Sequence, residues 1–295
     1  MKIRAATRGS ALALWQTNYV AELLSAVSSD SIEPLVVSTA GDRDKTTPLH
    51  EIGGKGVFVK EVQAAVLEGR ADIAVHSAKD LPAETPDGLS ICAVPVRADA
   101  RDALVGCTLA DLPEGGRVGT GSIRRQVQLK VLRPDIELVE IRGNIDTRIA
   151  LTKSGGGDLD AIVMASAAID RLGRTPDVVD RLSIDQMLPQ VGQGSLAIES
   201  RVDDEKTKAM LAQIDNALAH RLLNAERAFL VELGGDCDLP AGAYGVIESG
   251  DPDGTIDLAA MLSNGDDVVF RDSLSGDDGE AMGNKLAVDL RSRLV

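Results

Sequence analysis

The chain has 295 residues, 44% of them hydrophobic, and a formal net charge of −15. That length suggests two or three domains, and the acidic balance argues against nucleic acid or an anionic membrane as a partner. It contains no run of 18 apolar residues and no basic-then-apolar leader pattern, so a soluble, cytoplasmic protein is expected.

Lys2 to Ala6 reads as a short strand, and Ser10 can cap an amphipathic helix from Ala11 to about Val27. Val36 and Val37 mark a second strand, followed by a polar, glycine-bearing loop over 41–56. Val57 to Leu67 reads as a helix that Gly69 stops. Ala71 to His76 is a nearly continuous apolar run, as expected of a strand covered on both faces, and Leu89 to Val96 makes another. The pattern then restarts with strand Arg117–Gly119, a helix capped by Ser122 and running to Leu132, and strand Ile136–Ile141. Helix Asn144–Lys153, a triple-glycine turn at 155–157 and strand Ala161–Ala165 follow. Such alternation signals α/β layers with mostly parallel sheets, and the two starts resemble each other closely enough to suggest two similar bodies facing across a cleft.

From Glu205 to Leu233 the chain reads as helical with a break near Asn216. Ala243–Ile247, Thr255–Leu262 and Asp267–Leu274 then read as three strands joined by Asp-Pro-Asp-Gly and Asn-Gly-Asp turns, before a final helix over Glu280–Leu294. This makes a small α+β region with a three-stranded antiparallel sheet.

Several strand-to-helix turns carry arginine. They are Arg8-Gly9-Ser10, Thr120-Gly121-Ser122-Ile123-Arg124-Arg125, and Arg142-Gly143-Asn144 with Arg148; Arg171 adds a further basic position. Turns at the carboxyl ends of parallel strands are where open α/β sheets bind ligands, and helix starts present free N–H groups to anions. A guanidinium matches carboxylate or phosphate equally well in a bidentate fork. A nucleotide P-loop motif is absent, and Gly53-Gly54-Lys55-Gly56 reads more simply as a flexible loop. Lys79-Asp80 ends the apolar strand; an acid there can move a proton or steady a developing cation, or can merely cap or pair.

Three cysteines with no Cys-x-x-Cys spacing, and scattered His50, His76 and His220, support neither a disulfide framework nor a metal site. Cys92 and Cys107 sit by apolar segments and read as small buried hydrophobes. Cys237 differs: it lies in a Gly-rich acidic loop, Gly234-Gly235-Asp236-Cys237-Asp238. Its acidic neighbours disfavour the thiolate, which suits a single slow covalent attachment better than fast nucleophilic turnover.

Together these stretches resemble the hydroxymethylbilane synthase (porphobilinogen deaminase) family over essentially the whole chain. The motifs are Ala6-Thr7-Arg8-Gly9-Ser10-Ala11-Leu12-Ala13-Leu14-Trp15-Gln16, Gly53-Gly54-Lys55-Gly56-Val57-Phe58-Val59-Lys60-Glu61, and Asp72 through Asp80. Further on come Gly119 through Gln126, Arg142 through Arg148, and Val191-Gly192-Gln193-Gly194. The resemblance implies two α/β domains similar to periplasmic binding proteins flanking a cleft, plus a small C-terminal α+β domain. The expected divisions are 1–96 completed by 195–214, then 97–194, then 215–295. It implies a dipyrromethane cofactor in thioether linkage to Cys237, and the joining of four porphobilinogen units with loss of ammonia to give hydroxymethylbilane. It also implies that Asp80 assists proton transfer and stabilises the positive pyrrole nitrogen. Arg8, Arg124, Arg125, Arg142, Arg148 and Arg171 would hold acetate and propionate carboxylates, with Ser10, Lys79 and Ser122. Thr120, Gly143, Asn144 and Gln193 belong to the same implied binding set. Lys55, Phe58 and Lys60 fall in or beside the family's mobile loop, and Gln16 lies near the cleft.

The chain departs from the usual pattern at Asp236 beside the cysteine, at Gly121 in place of a frequent serine, and at Ala40 before Gly41-Asp42. Twenty-one arginines against ten lysines, with the acidic surface, suggest a salt-adapted source. A monomer is expected. The rival readings are an organic-anion binding protein on the same frame, which would need neither Asp80 nor Cys237, and a Cys237 hydrolase, for which no histidine has a pairing signature.

Overall fold

The computed structural model describes residues 2–39, 56, 59–174, 176–234, 240–265 and 268–294. Two five-stranded mixed sheets and one three-stranded antiparallel sheet organise them.

The first body starts with β1 (Lys2–Arg8), α1 (Ala11–Val27) and β2 (Ser31–Val37), followed by α2 (Lys60–Leu67), β3 (Ile73–Ser77) and β4 (Leu89–Ala93). Ser10 accepts from the Ala13 N–H and so starts α1 where the sequence places it. The strands lie in the order β2-β1-β3-β10-β4, where β10 (Leu196–Arg201) arrives from far along the chain. β1 runs parallel to β2 and β3, whereas β10 is antiparallel to β3 and β4. Ile3, Ala5, Ile73, Ile198, Val20 and Leu24 make the core on one face.

The second body repeats this plan with β5 (Asp102–Val105), β6 (Arg117–Gly119), α3 (Ile123–Leu132), β7 (Glu137–Val139), α4 (Ile145–Ile149), β8 (Ala161–Ala165), α5 (Ser166–Arg171) and β9 (Val179–Arg181). Its order is β7-β6-β8-β5-β9, with β6 parallel to β7 and β8, and β5 antiparallel to β8 and β9. Each sheet therefore has three parallel strands ordered second-first-third, and an antiparallel strand brought in by a crossing of the chain. The two sheets thus share one build, and the crossings lie at 94–101 and 182–195.

The third body is α7 (Ala217–Glu232), β11 (Ala241–Val246), β12 (Ile256–Ser263), β13 (Val269–Gly276) and α8 (Gly279–Arg291), preceded by α6 (Glu205–Leu211). The expected break near Asn216 is present: its extended backbone ends the preceding turn, and its side chain accepts from Ala219 N–H to start α7. Both long helices cover one face of the sheet, burying Phe229, Leu258, Leu286 and Leu290 completely.

Four expectations change. The helix expected over Asn144–Lys153 ends at Ile149 and gives way to a 3₁₀ turn over Lys153–Gly155. Ser122 occupies the start of α3, but its side chain makes no capping hydrogen bond. β5, β9, β10 and α5 are additional, because each is short, β5 opens on a buried aspartate, and buried Glu199 and Ser200 interrupt the apolar pattern of β10. Cys92 and Cys107 are half-buried rather than fully buried.

Candidate active site

The Lys79-Asp80 turn is the centre from which the site can be built. β3 delivers it as a 3₁₀ turn over Ala78–Asp80, held by Leu81 N–H donating to the Ala78 carbonyl at 3.2 Å and Ala78 N–H donating to the Ser195 carbonyl at 3.0 Å. Asp80 is exposed, and among the described residues its carboxylate makes no hydrogen bond or ion pair. It is therefore available to a ligand. Behind it, Gln16 on α1 donates to Ser77 Oγ at 2.7 Å, and Gln190 donates to the Lys79 carbonyl at 3.1 Å.

Lys79 is half-buried, and its Nζ reaches Gln193 Oε1 at 3.4 Å. Gln193 is completely buried, and its amide donates to the Ala100 carbonyl at 2.7 Å and to Asp102 Oδ1 at 2.9 Å. The motif around it has a steric reason. Gly192 and Gly194 both have positive φ, and a Cβ on Gly194 would come within 2.5 Å of the Ala98 carbonyl oxygen. The two crossing segments can approach this closely only without side chains there.

Asp102, at the start of β5, is fully buried. Arg124 Nη2 lies 2.8 Å from its Oδ2, and Arg125 approaches Oδ1 through Nη2 at 2.7 Å and Nε at 3.0 Å. Arg124 also donates to the Leu188 carbonyl at 2.6 Å, and Arg125 to the Val163 carbonyl at 3.1 Å. These two arginines, expected to reach out for ligand carboxylates, are buried and turned onto an internal acid. Sequence reasoning missed Asp102, although an aspartate opening an apolar strand was a signal for a buried, partnered acid.

The remaining basic positions are disposed differently. Arg148 is half-buried and its Nε donates to the Gly143 carbonyl at 2.8 Å, which leaves the outer face of the guanidinium for other partners. Arg142, half-buried, stands close enough to Arg148 to act on its charge, as does Arg125. Arg171 donates to the Gly194 carbonyl at 2.7 Å and lies 5.8 Å above the Trp15 ring, bridging the two α/β bodies. Trp15 was not foreseen. Arg8 ends β1, half-buried and in register with Val37.

Thr120 is buried, and its Oγ1 accepts from Ser122 N–H at 3.2 Å. Ser10 and Asn144 spend their side chains capping α1 and α4, the latter accepting from Thr147 N–H at 2.9 Å. Gly143 has φ of 112°, which suits the tight entry to that turn. Lys60 is exposed at the start of α2. Gly121 has a reason of its own, since a Cβ there would lie 2.8 Å from the Ile141 carbonyl oxygen. Lys55, Phe58 and Cys237 lie outside the described residues.

The electrostatics follow from this geometry. Burial, then Arg125, push the Lys79 ammonium down to about 8, against the opposing pull of Asp80 and Asp102. Burial lowers Arg148, with Arg125 and Arg142 adding to the effect. Burial also brings Arg171 down to about 10. For Asp102 burial acts in the other direction, but Arg124, Arg125 and Gln193 overcome it and hold the carboxyl at about 2. Lys79, Arg125, Arg142 and Arg148 thus form a chain of mutually repelling cations between the Lys79-Asp80 turn and the α3 and α4 starts. Such a cluster favours an anion, and several carboxylates would suit it better than one. No group of metal-ligating side chains occurs among the described residues, nor any helix long and apolar enough to cross a membrane.

Comparison with known proteins gives the family of the chain. The model of the porphobilinogen deaminase dipyromethane cofactor binding domain matches residues 3–209, and that of the porphobilinogen deaminase C-terminal domain matches 221–292. A porphobilinogen deaminase of Syntrophus aciditrophicus is 50% identical over 242 residues, covering 81% of this chain and 78% of its own. Those of Brevibacillus brevis and Geobacter metallireducens are 42% and 41% identical, covering 97% and 100% of this chain and 93% and 91% of theirs. The chain belongs to the porphobilinogen deaminase family.

Proposed function

We propose that this protein is a hydroxymethylbilane synthase. It joins four porphobilinogen molecules head to tail, with loss of ammonia, into the linear tetrapyrrole used for porphyrin and haem biosynthesis. The observation that carries the reading is the pairing of one exposed acid, Asp80, with a cluster of cations that buried Asp102 backs. A growing pyrrole chain adds acetate and propionate carboxylates with every ring, and that cluster is suited to hold them.

The same cations fit a dipyrromethane cofactor, whose two rings carry four carboxylates, and Cys237 is the residue assigned to bind it through a thioether. When bound, dipyrromethane supplies the pyrrole carbon from which the chain is extended. Lys79, Arg142 and Arg148 bind carboxylates directly, with Arg8 and Arg171 at the flanks. Arg124 and Arg125 contribute charge from behind, through the frame that Asp102 and Gln193 hold. Asp80 moves protons at the aminomethyl group and steadies the positive pyrrole nitrogen, a role worth ~10²–10⁴-fold for a positioned acid or base. Backbone N–H groups at Gly121 and Gly143–Asn144 add donors at the helix starts. Lys55, Phe58 and Lys60 are assigned to the binding set by their place in the family's motif, and Gln16 holds the Ser77 end of β3.

Within this reading the domains divide as 1–96 with 195–214, 97–194, and 215–295, and the protein works as a cytoplasmic monomer. The net charge of −15 and the excess of arginine over lysine support a salt-adapted source. A steady loss of activity on raising salt from near zero would count against that origin. The function itself is tested by denatured intact mass of the wild type beside Cys237→Ser. A two-pyrrole excess in the wild type alone, with porphobilinogen turnover, supports the assignment. A folded wild type that gains no mass from porphobilinogen and makes no product overturns it.

A further inference from the structure

Buried Asp102 is the feature of the site that substrate binding does not by itself require. Five cations run on from the Lys79-Asp80 turn: Arg124 and Arg125 act on Lys79, and Arg125 and Arg142 act on Arg148. An enzyme needing only to grip carboxylates would gain from leaving them all uncompensated. Instead β5 begins with a fully buried aspartate that pairs with two of the arginines, at 2.8 Å and 2.7 Å. Gln193 then links it to Lys79, across the gap between the two α/β bodies, through contacts at 2.9 Å and 3.4 Å.

The arrangement is also incompletely satisfied as a structural ion pair. Arg124 Nε is buried without a hydrogen-bond partner, and the Asp102 Oδ2 contact with Arg124 falls short of hydrogen-bond geometry. A buried charge pair of this quality is a poor source of stability, because desolvation offsets most of its attraction. Its more telling consequence is electrical: one fixed negative charge stands behind a face that must hold anions.

Resting on the proposed function, we infer that Asp102 is a positioning residue that limits how tightly the cleft grips its polycarboxylate chain. Each addition must be followed by a shift of the chain past the same cations, and the finished product must leave. A grip that deepens with every added ring would stop both. Asp102 offsets part of the positive field and keeps Arg124 and Arg125 turned inward, so bound carboxylates can exchange partners.

The experiment uses the full-length, cofactor-loaded enzyme with Asp102→Asn. The amide keeps the shape and removes the charge, while both guanidiniums remain protonated at any usable pH. Turnover should fall about tenfold with KM unchanged or lower, since one buried charge acting over ~10 Å at an effective dielectric of 20 corresponds to about that factor. Intact mass spectra during turnover should show enzyme carrying one to four extra pyrrole units in excess over the wild type. The double variant Asp102→Asn, Arg124→Gln removes one cation with its counter-charge and allows an amide–amide contact. It should return the mass distribution towards wild type whatever its absolute turnover, and it serves equally if the single variant does not fold.

A rise in KM with no accumulation of bound intermediates would show Asp102 to be structural only. A folded double variant that still accumulates them would also overturn the inference. A wild type that neither carries the two-pyrrole mass nor consumes porphobilinogen would remove the functional reading itself, which the wild-type control reveals separately.

Discussion

Replacing Glu226 by Gln should loosen the whole three-body assembly. Glu226 lies on α7 and is completely buried. Its carboxylate receives Arg97 Nη1 at 2.5 Å and Nη2 at 3.2 Å from the first crossing segment. It also accepts Gly192 N–H at 2.8 Å from the second crossing and Gly245 N–H at 3.0 Å from β11. Four donors from three parts of the chain therefore converge on one acid. The amide can accept at one position only, which leaves Arg97, whose side chain is 11% exposed, without its counter-charge. Breaking one side of such a buried pair costs ~3–5 kcal/mol. At ~2–4 °C per kcal/mol for chains of this order, the melting midpoint should fall by about 6–20 °C. Differential scanning calorimetry beside the wild type measures this, with urea denaturation followed by circular dichroism as a second probe. A shift under about 2 °C would refute the reasoning, because it would mean that the crossings are held without this carboxylate. Pairing Glu226→Leu with Arg97→Met should recover part of the loss, as apolar replacement of both partners commonly does.

Asp80→Asn should retain the cofactor mass and lose ~10²-fold or more in turnover, measured by product absorbance after oxidation; near-normal product formation would remove its catalytic role. Arg148→Leu should lower kcat/KM by ~10- to 150-fold, the worth of one charged hydrogen bond, with little change in melting; a large drop in melting with normal kinetics would mark Arg148 as structural. The Lys79 ammonium, pushed down to about 8 by burial and Arg125, binds its proton less readily folded than unfolded. The unfolded chain therefore holds more protons between about 8 and the ordinary lysine value, so this residue's contribution to stability rises with pH across that window. Lys79→Met should accordingly raise the urea midpoint at pH 7 by more than at pH 10. In the wild type kcat/KM should decline as pH rises through about 8, and a flat profile from pH 7 to 9 would exclude a binding role for the charged lysine.

What the sequence by itself determined was whatever depends on neighbours in the chain. Ser10 and Asn216 are short polar residues before apolar helical periodicity, and each starts a helix where the local pattern requires. The apolar run ending at His76 could only be a covered strand, so Lys79 and Asp80 had to stand at its carboxyl end. The order and spacing of the motifs carried the family. Tertiary structure alone decided how the charges pair. Arg124 and Arg125 read as two ligand-binding cations at a helix start, yet an acid 23 residues from Arg125 turns both inward. Lys79 meets Gln193 across 114 residues, and that same glutamine reaches Asp102 across 91. β10 was hidden because Glu199 and Ser200, both fully buried, interrupt its apolar pattern. Glu199 is tolerated there because His76 Nε2 lies 3.1 Å from its carboxylate and Gln63, 136 residues away, donates to it. Capping and periodicity act within a turn or two of the backbone. The partner of a buried charge is chosen by desolvation and packing between segments that only the folded chain brings together.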